Sequence, residues 1–121
     1  MELEILAPDL QLRLGTVAKG KHHIDHRLLC LLQGIREYGA IMQAAQRIRC
    51  GYSYAWTSIN DAEEQLGFKL IERHGARGSN LTEQGEEFLK RFEAMVEDMS
   101  TYVDSAVERH FRDFEPSCTM V

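Results

Sequence analysis

Between Tyr52 and Asn60 the chain strings together Tyr52, Ser53, Tyr54, Thr57, Ser58 and Asn60, and no charged residue interrupts them. Hydroxyls and an amide at this density are equipped to read a surface by hydrogen bonding. Ser and Thr bond either base edges or phosphates, and Asn favours adenine. The acids of the stretch, Asp61, Glu63 and Glu64, come only afterwards, where they are carried clear of a phosphate backbone. Further on, His74-Gly75-Ala76-Arg77-Gly78 forms a glycine-bearing turn between Arg73 and the pair Ser79-Asn80. Arginines on an exposed turn suit phosphate or minor-groove contact.

Other chemistries find little support. The pairs Glu63/Glu64 and Glu86/Glu87 are adjacent, so on a helix they point apart rather than converge on a substrate. There is no glycine-rich phosphate loop, nucleophile elbow or HExxH, and no enzymatic activity or cofactor is expected. His22, His23 and His26 have no fourth ligand spaced for tetrahedral zinc, so no metal site is expected. Cys30, Cys50 and Cys118 form no CxxC pair and read as reduced thiols, Cys30 in the core.

The elements that must position these residues can be read from periodicity. Leu10, Leu12 and Leu14 alternate with polar residues, a strand signal. Ile24, Leu28, Leu32 and Ile35 recur at helical spacing behind an Asp25 N-cap, and Gly39 stops them. A short helix over roughly 41–49 packs Ile41, Ala44, Ala45 and Ile48, and Cys50-Gly51 breaks it. A third helix runs from Tyr52 to Leu66, with Trp56, Ile59, Ala62 and Leu66 inward and Gly67 as its stop. Phe68–Arg73 and Ser79–Leu81 predict a β-hairpin around the glycine turn. Thr82 caps a last helix that continues to about Phe114, with Glu83, Glu86 and Glu87 favouring its dipole. Helix, short helix, tight break, helix and hairpin make a winged helix-turn-helix, mainly α with a small β wing. Residues 1–81 form the expected DNA-binding domain, N-terminal strand included, and 82–121 a long dimerisation helix and tail.

The segment Tyr54-Ala55-Trp56-Thr57-Ser58-Ile59-Asn60 resembles the Ala-Trp-x-x-Ile-Asn core of the N-terminal domain of ModE-type, molybdate-responsive regulators. Glu64-Gln65-Leu66-Gly67-Phe68-Lys69-Leu70-Ile71-Glu72-Arg73, followed by Leu81-Thr82-Glu83-Gln84-Gly85, is similar to the related LysR-type DNA-binding domain. The resemblance covers roughly residues 10–100. It implies groove contacts from Tyr52, Ser53, Tyr54 and Thr57 and backbone contacts from the wing. The sequence departs from the ModE pattern at Gly51, where a serine is usual, and at Ser53, where a basic residue is frequent. The wing is also shorter and less glycine-rich. The sequence to Val121 carries neither an oxyanion-binding nor an effector domain, so no molybdate site is expected.

A net charge of −5 stands against a nucleic-acid partner until its distribution is considered. Residues 19–81 carry nine Lys/Arg against six Asp/Glu, whereas residues 82–121 carry four against ten. Local field rather than total charge steers a phosphate backbone. In the last helix Phe88, Phe92, Met95, Met99, Tyr102 and Ala106 follow a heptad-like seam, with Leu89, Val96 and Val103 as a second stripe. One stripe can pack on the winged domain while the other pairs with a second copy. Gln43 joins Tyr52, Ser53, Tyr54, Thr57, Ser58, Asn60, Arg73, Arg77, Ser79 and Asn80 as the expected DNA-facing set.

The reading is therefore a dimeric, sequence-specific duplex-DNA-binding regulator of prokaryotic type. The acidic Met-Glu-Leu-Glu start and the absence of a membrane-length apolar run favour the cytoplasm and no membrane. The alternative is a winged-helix protein-interaction module whose protein partner supplies sensing.

Overall fold

The computed structural model describes residues 24–114. The strand expected at Leu10–Leu14, together with His22, His23 and Cys118, lies outside the described residues. Helix α1, His26–Tyr38, begins where the Asp25 carboxylate accepts the Leu28 amide at 3.2 Å. It ends at Gly39, whose φ of 76° only glycine adopts readily and whose N–H returns to the Ile35 carbonyl. Helix α2, Ile41–Arg47, crosses α1 where Gly34 meets Ala44: a Cβ on Gly34 would stand 2.7 Å from the Ala44 Cβ. The small residues at this crossing thus serve close backbone approach. Helix α3, Tyr52–Leu66, starts without a side-chain cap at Gly51 and stops at Gly67, again left-handed.

The wing is shorter on its first strand than expected. Strand β1 is Ile71–Arg73 rather than Phe68–Arg73, and it pairs antiparallel with β2, Ser79–Leu81, through a 3-10 turn at Gly75–Arg77. The reason lies in Glu63. Its carboxylate, buried near the C-terminal end of α3, accepts the amides of Leu70 at 2.8 Å and Ile71 at 3.2 Å. Those two donors are thereby taken by a side chain. Phe68 instead meets Phe88 in an edge-type contact, ring centres 6.3 Å apart.

Helix α4, Glu83–Phe111, is the longest element, about 44 Å at 1.5 Å per residue. Thr82 caps it and ties it to the segment before β1. Its hydroxyl accepts the Gly85 amide at 2.8 Å and donates to the Lys69 carbonyl at 2.6 Å. Gly85 is required here, because a Cβ would stand 2.1 Å from the Leu70 carbonyl oxygen.

One core joins all of these elements. Leu28, Leu31, Leu32 and Ile35 of α1 meet Ala44 and Ala45 of α2, Ala55, Ile59 and Ala62 of α3, Leu70, Ile71 and Leu81 of the wing, and Leu89 and Phe92 of α4. A fully buried Leu or Ile contributes about 1.5–3 kcal/mol over an exposed one, so the α1 stripe is the principal anchor. Cys30, expected in that core, is instead half-buried, because it lies off the stripe with its Sγ 3.6 Å from His26 Nε2. Cys50 is also half-buried. No described helix is long and apolar enough to cross a membrane.

Candidate nucleic-acid interface

Successive residues of α3 are rotated by about 100°, and burial assigns its faces. Ala55, Ser58, Ile59, Ala62 and Glu63 are buried. The opposite strip carries Ser53 and Thr57, both exposed, and Asn60, half-buried. Tyr54 and Trp56 stand two residues apart, about 200° around the helix, and so occupy the two shoulders of that strip.

Two of the expected roles change here. Trp56, expected in the core, is 42% exposed. It lies at the edge of the apolar arc, and its neighbour Ala55, fully buried, is the residue that enters the core. Ser58, expected to face DNA, is 7% exposed. It falls three residues after Ala55 and four before Ala62, on the buried face, so its hydroxyl is withdrawn from the groove side.

The remaining candidates converge around the exposed strip. Tyr52 is half-exposed at the start of α3 and shares a shallow hollow with the start of α2, Arg73, Gly78 and Ser79. Gln43 is exposed on α2. The wing is strapped to the turn before α2: the Ser79 amide donates to the Gly39 carbonyl at 2.8 Å, and a Cβ on Gly78 would meet that same oxygen at 2.3 Å. Arg77 projects from the 3-10 turn and is exposed. Asn80 is exposed but engaged: its Oδ1 accepts from His74 Nε2, and its Nδ2 donates to Glu72 and to the Leu81 carbonyl. Arg73 donates to Asn60 Oδ1 at 2.9 Å, and its guanidinium lies 5.0 Å from the Trp56 ring centre.

The seam expected for a partner divides at mid-helix. Phe92 is 3% exposed in the protomer's own core, and Phe88 and Met95 pack half-buried against it. These three side chains belong to one amphipathic face that docks on the protomer's own core, and Phe92 is closed to a second copy by its burial. Further along α4, Met99 and Ala106 are half-buried and Tyr102 is 67% exposed. Exposed Val107, Phe111 and Phe114 continue this surface toward the end of the described chain.

Sequence reasoning missed three residues. Glu63 stands four after Ile59 on the buried face, and an acid in that place signals a buried partner. Glu93 of α4 accepts from Gln33 at 2.8 Å and pairs with Arg36 of α1 at 2.6 Å. The Arg36 hydrogen bond holds the Glu93 carboxyl below its usual range against the opposing effect of burial, and raises the Arg36 guanidinium in turn. Arg27 of α1 reaches Tyr54, with its guanidinium 4.9 Å from the ring centre. Only the tertiary structure brings these last two pairs together.

With this geometry in place, the comparisons with known proteins are decisive for the family. The model of the bacterial regulatory helix-turn-helix protein, lysR family, matches residues 26–86, from the start of α1 into α4. The chain belongs to the LysR family. Its fold is the winged helix-turn-helix of LysR-type DNA-binding domains. The DNA-binding domain of CbnR, solved in complex with DNA, is 28% identical with a TM-score of 0.60, over 66% of this chain and 91% of that one. Full-length CbnR complexed with its target DNA is 27% identical with a TM-score of 0.61, over 68% of this chain. The chain spans only 28% of that full-length regulator. The BenM DNA-binding domain on its benA site 1 DNA shares the fold, with a TM-score of 0.58 at 24% identity, over 66% of this chain and 92% of that one. No curated protein matches the sequence.

Proposed function

We propose that this LysR-family chain is a transcriptional regulator that binds duplex DNA in a sequence-specific manner as a homodimer. One observation carries the reading. As far as Asn60 the exposed strip of α3 is uncharged, hydrogen-bonding and flanked by an arginine-bearing wing, in a fold whose 28%-identical relative was solved on DNA. Tyr52, Ser53, Tyr54, Thr57 and Asn60 enter the major groove, while Arg73, Arg77, Ser79 and Gln43 hold the backbone. Residues 1–81 bind DNA, and residues 82–121 serve dimerisation through the part of α4 beyond Met95. The Ala55-Trp56 pair supports a ModE-like variant of the recognition helix. The protein works in a prokaryotic cytoplasm.

A specific observation favours the second reading, a protein-interaction module. Helix α3 carries no Lys or Arg, and Tyr52, Tyr54 and Trp56 offer exposed aromatic surface. Selection from a random duplex library, repeated across ionic strengths, separates the two. Enrichment of an inverted repeat with steeply salt-dependent affinity establishes the regulator. Weak, salt-insensitive binding without enrichment establishes the interaction module.

A further inference from the structure

The recognition helix has no cation of its own over its first two turns, yet two guanidiniums lie against it. Arg27 comes from the first turn of α1. Its guanidinium carbon is 4.9 Å from the Tyr54 ring centre, and Nη1 donates to the Tyr54 hydroxyl at 3.4 Å. Arg73 comes from the end of β1. Its guanidinium carbon is 5.0 Å from the Trp56 ring centre, and Nη2 donates to Asn60 Oδ1 at 2.9 Å. Tyr54 and Trp56 occupy opposite shoulders of the exposed strip, so the two arginines stand on either side of it. All four side chains are exposed, although a ring at such a position could equally have been buried.

We infer that Tyr54 and Trp56 are platforms which hold Arg27 and Arg73 as a pair of phosphate clamps, one on each wall of the groove that α3 enters. The inference rests on the DNA-binding reading and deepens it. Arginine is the fitting cation. Its planar guanidinium stacks on an aromatic face, and after one N–H is given to Tyr54 or Asn60 the others remain as donors in a fork that matches phosphate oxygens. A lysine in either place would keep the charge and lose the plane. The arrangement also explains how a helix without cations can sit between two phosphate backbones. The charge is borrowed from α1 and from the wing, so it lies at the groove walls, and the strip from Ser53 to Asn60 stays neutral for base edges. Trp56 accordingly acts through Arg73 as a positioning residue.

The test uses the whole chain and a random-sequence 30-base-pair duplex, since phosphate contacts do not depend on sequence. Affinity is measured between 50 and 200 mM salt for the wild type, Arg27→Ala, Arg73→Ala, Tyr54→Leu, Trp56→Leu and the double variants Arg27→Ala/Tyr54→Leu and Arg73→Ala/Trp56→Leu. Each arginine removed is expected to lower the salt slope by about 0.9 per bound protomer, which narrows the gap from wild type about threefold over that range. Each aromatic substitution is expected to weaken binding several-fold with the slope unchanged. That loss should vanish when its arginine is already alanine, as coupling between touching side chains requires. An unchanged slope in Arg27→Ala overturns the clamp while leaving the DNA-binding reading intact. Additive losses in the double variants overturn the platform role. A folded wild type that binds no duplex overturns both this inference and the reading beneath it.

Discussion

At the scale of single residues, position on α3 decides between structural and binding roles. Ser58 and Thr57 are neighbours of similar chemistry, but one rotation of the helix buries the first and exposes the second. The proposed groove contacts make a specific prediction. Thr57→Ala should relax preference at one base step, Tyr54→Ala should do so while also weakening binding generally through Arg27, and Arg77→Ala should weaken binding to all sequences alike. Competition binding on an operator and its single-base variants reads the difference. Equal losses everywhere for all three would remove the recognition-helix assignment. Glu63 illustrates the structural role. Its carboxylate satisfies two buried amides, so Glu63→Ala leaves donors unpaired, at a cost of about 2–4 kcal/mol. A fall in Tm of roughly 10 °C is expected, while Glu64→Ala, at an exposed neighbour, should change it little. Comparable melts for the two variants would show that the carboxylate is dispensable.

Among the elements, the hinge of the design is the docking of α4 on α1. Leu89 and Phe92 supply the apolar contact, and Glu93 adds a charged latch to Gln33 and Arg36 at its edge. Because Arg36 holds the Glu93 carboxyl below its ordinary range, the latch stabilises the fold at pH values above the unfolded carboxyl's titration. That stability is lost as pH falls through the lowered folded value. Glu93→Gln should therefore be less stable than wild type near pH 7, and the gap should close below about pH 4. Urea melts across that interval measure it; a gap that persists in acid would assign the loss to packing instead. The Leu81-Thr82-x-x-Gly85 run has a related purpose. Thr82 ties the start of α4 to the Lys69 carbonyl, and Gly85 lets the helix touch the Leu70 backbone.

For the whole molecule, charge and shape point the same way. The basic excess lies in residues 19–81 and the acidic excess in residues 82–121, so α4 is the element to hold away from DNA. Its earlier half packs on the protomer's core, and in its later half Met99 and Ala106 are half-buried and Tyr102 is exposed, which is the surface the proposed dimer would use. In the proposed dimer, two recognition helices would meet half-sites about 10 base pairs apart or a multiple of that. Tyr102→Glu combined with Met99→Glu should yield a monomer by sedimentation and roughly halve the salt slope of DNA binding. A double variant that sediments like wild type would locate dimerisation elsewhere.

Most of the architecture was legible in the residues because local signals suffice for it. Asp25, Gly39, Gly67 and Thr82 act within one turn of their own helix ends, and periods of three and four residues mark the buried stripes of α1 and α4. The hairpin's existence followed from its glycines, and its second strand from Ser79-Asn80-Leu81. Tertiary contacts decided what periodicity leaves open at the edge of a stripe. Trp56 became a platform because Ala55 enters the core and Arg73 arrives from the wing. Phe92 became core because α4 leans on α1, and β1 was shortened by a carboxylate seven residues upstream. Arg27–Tyr54 and Arg36–Glu93 join residues 27 and 57 positions apart. Periodicity reports which face of an element is apolar, but only packing determines which other face it meets.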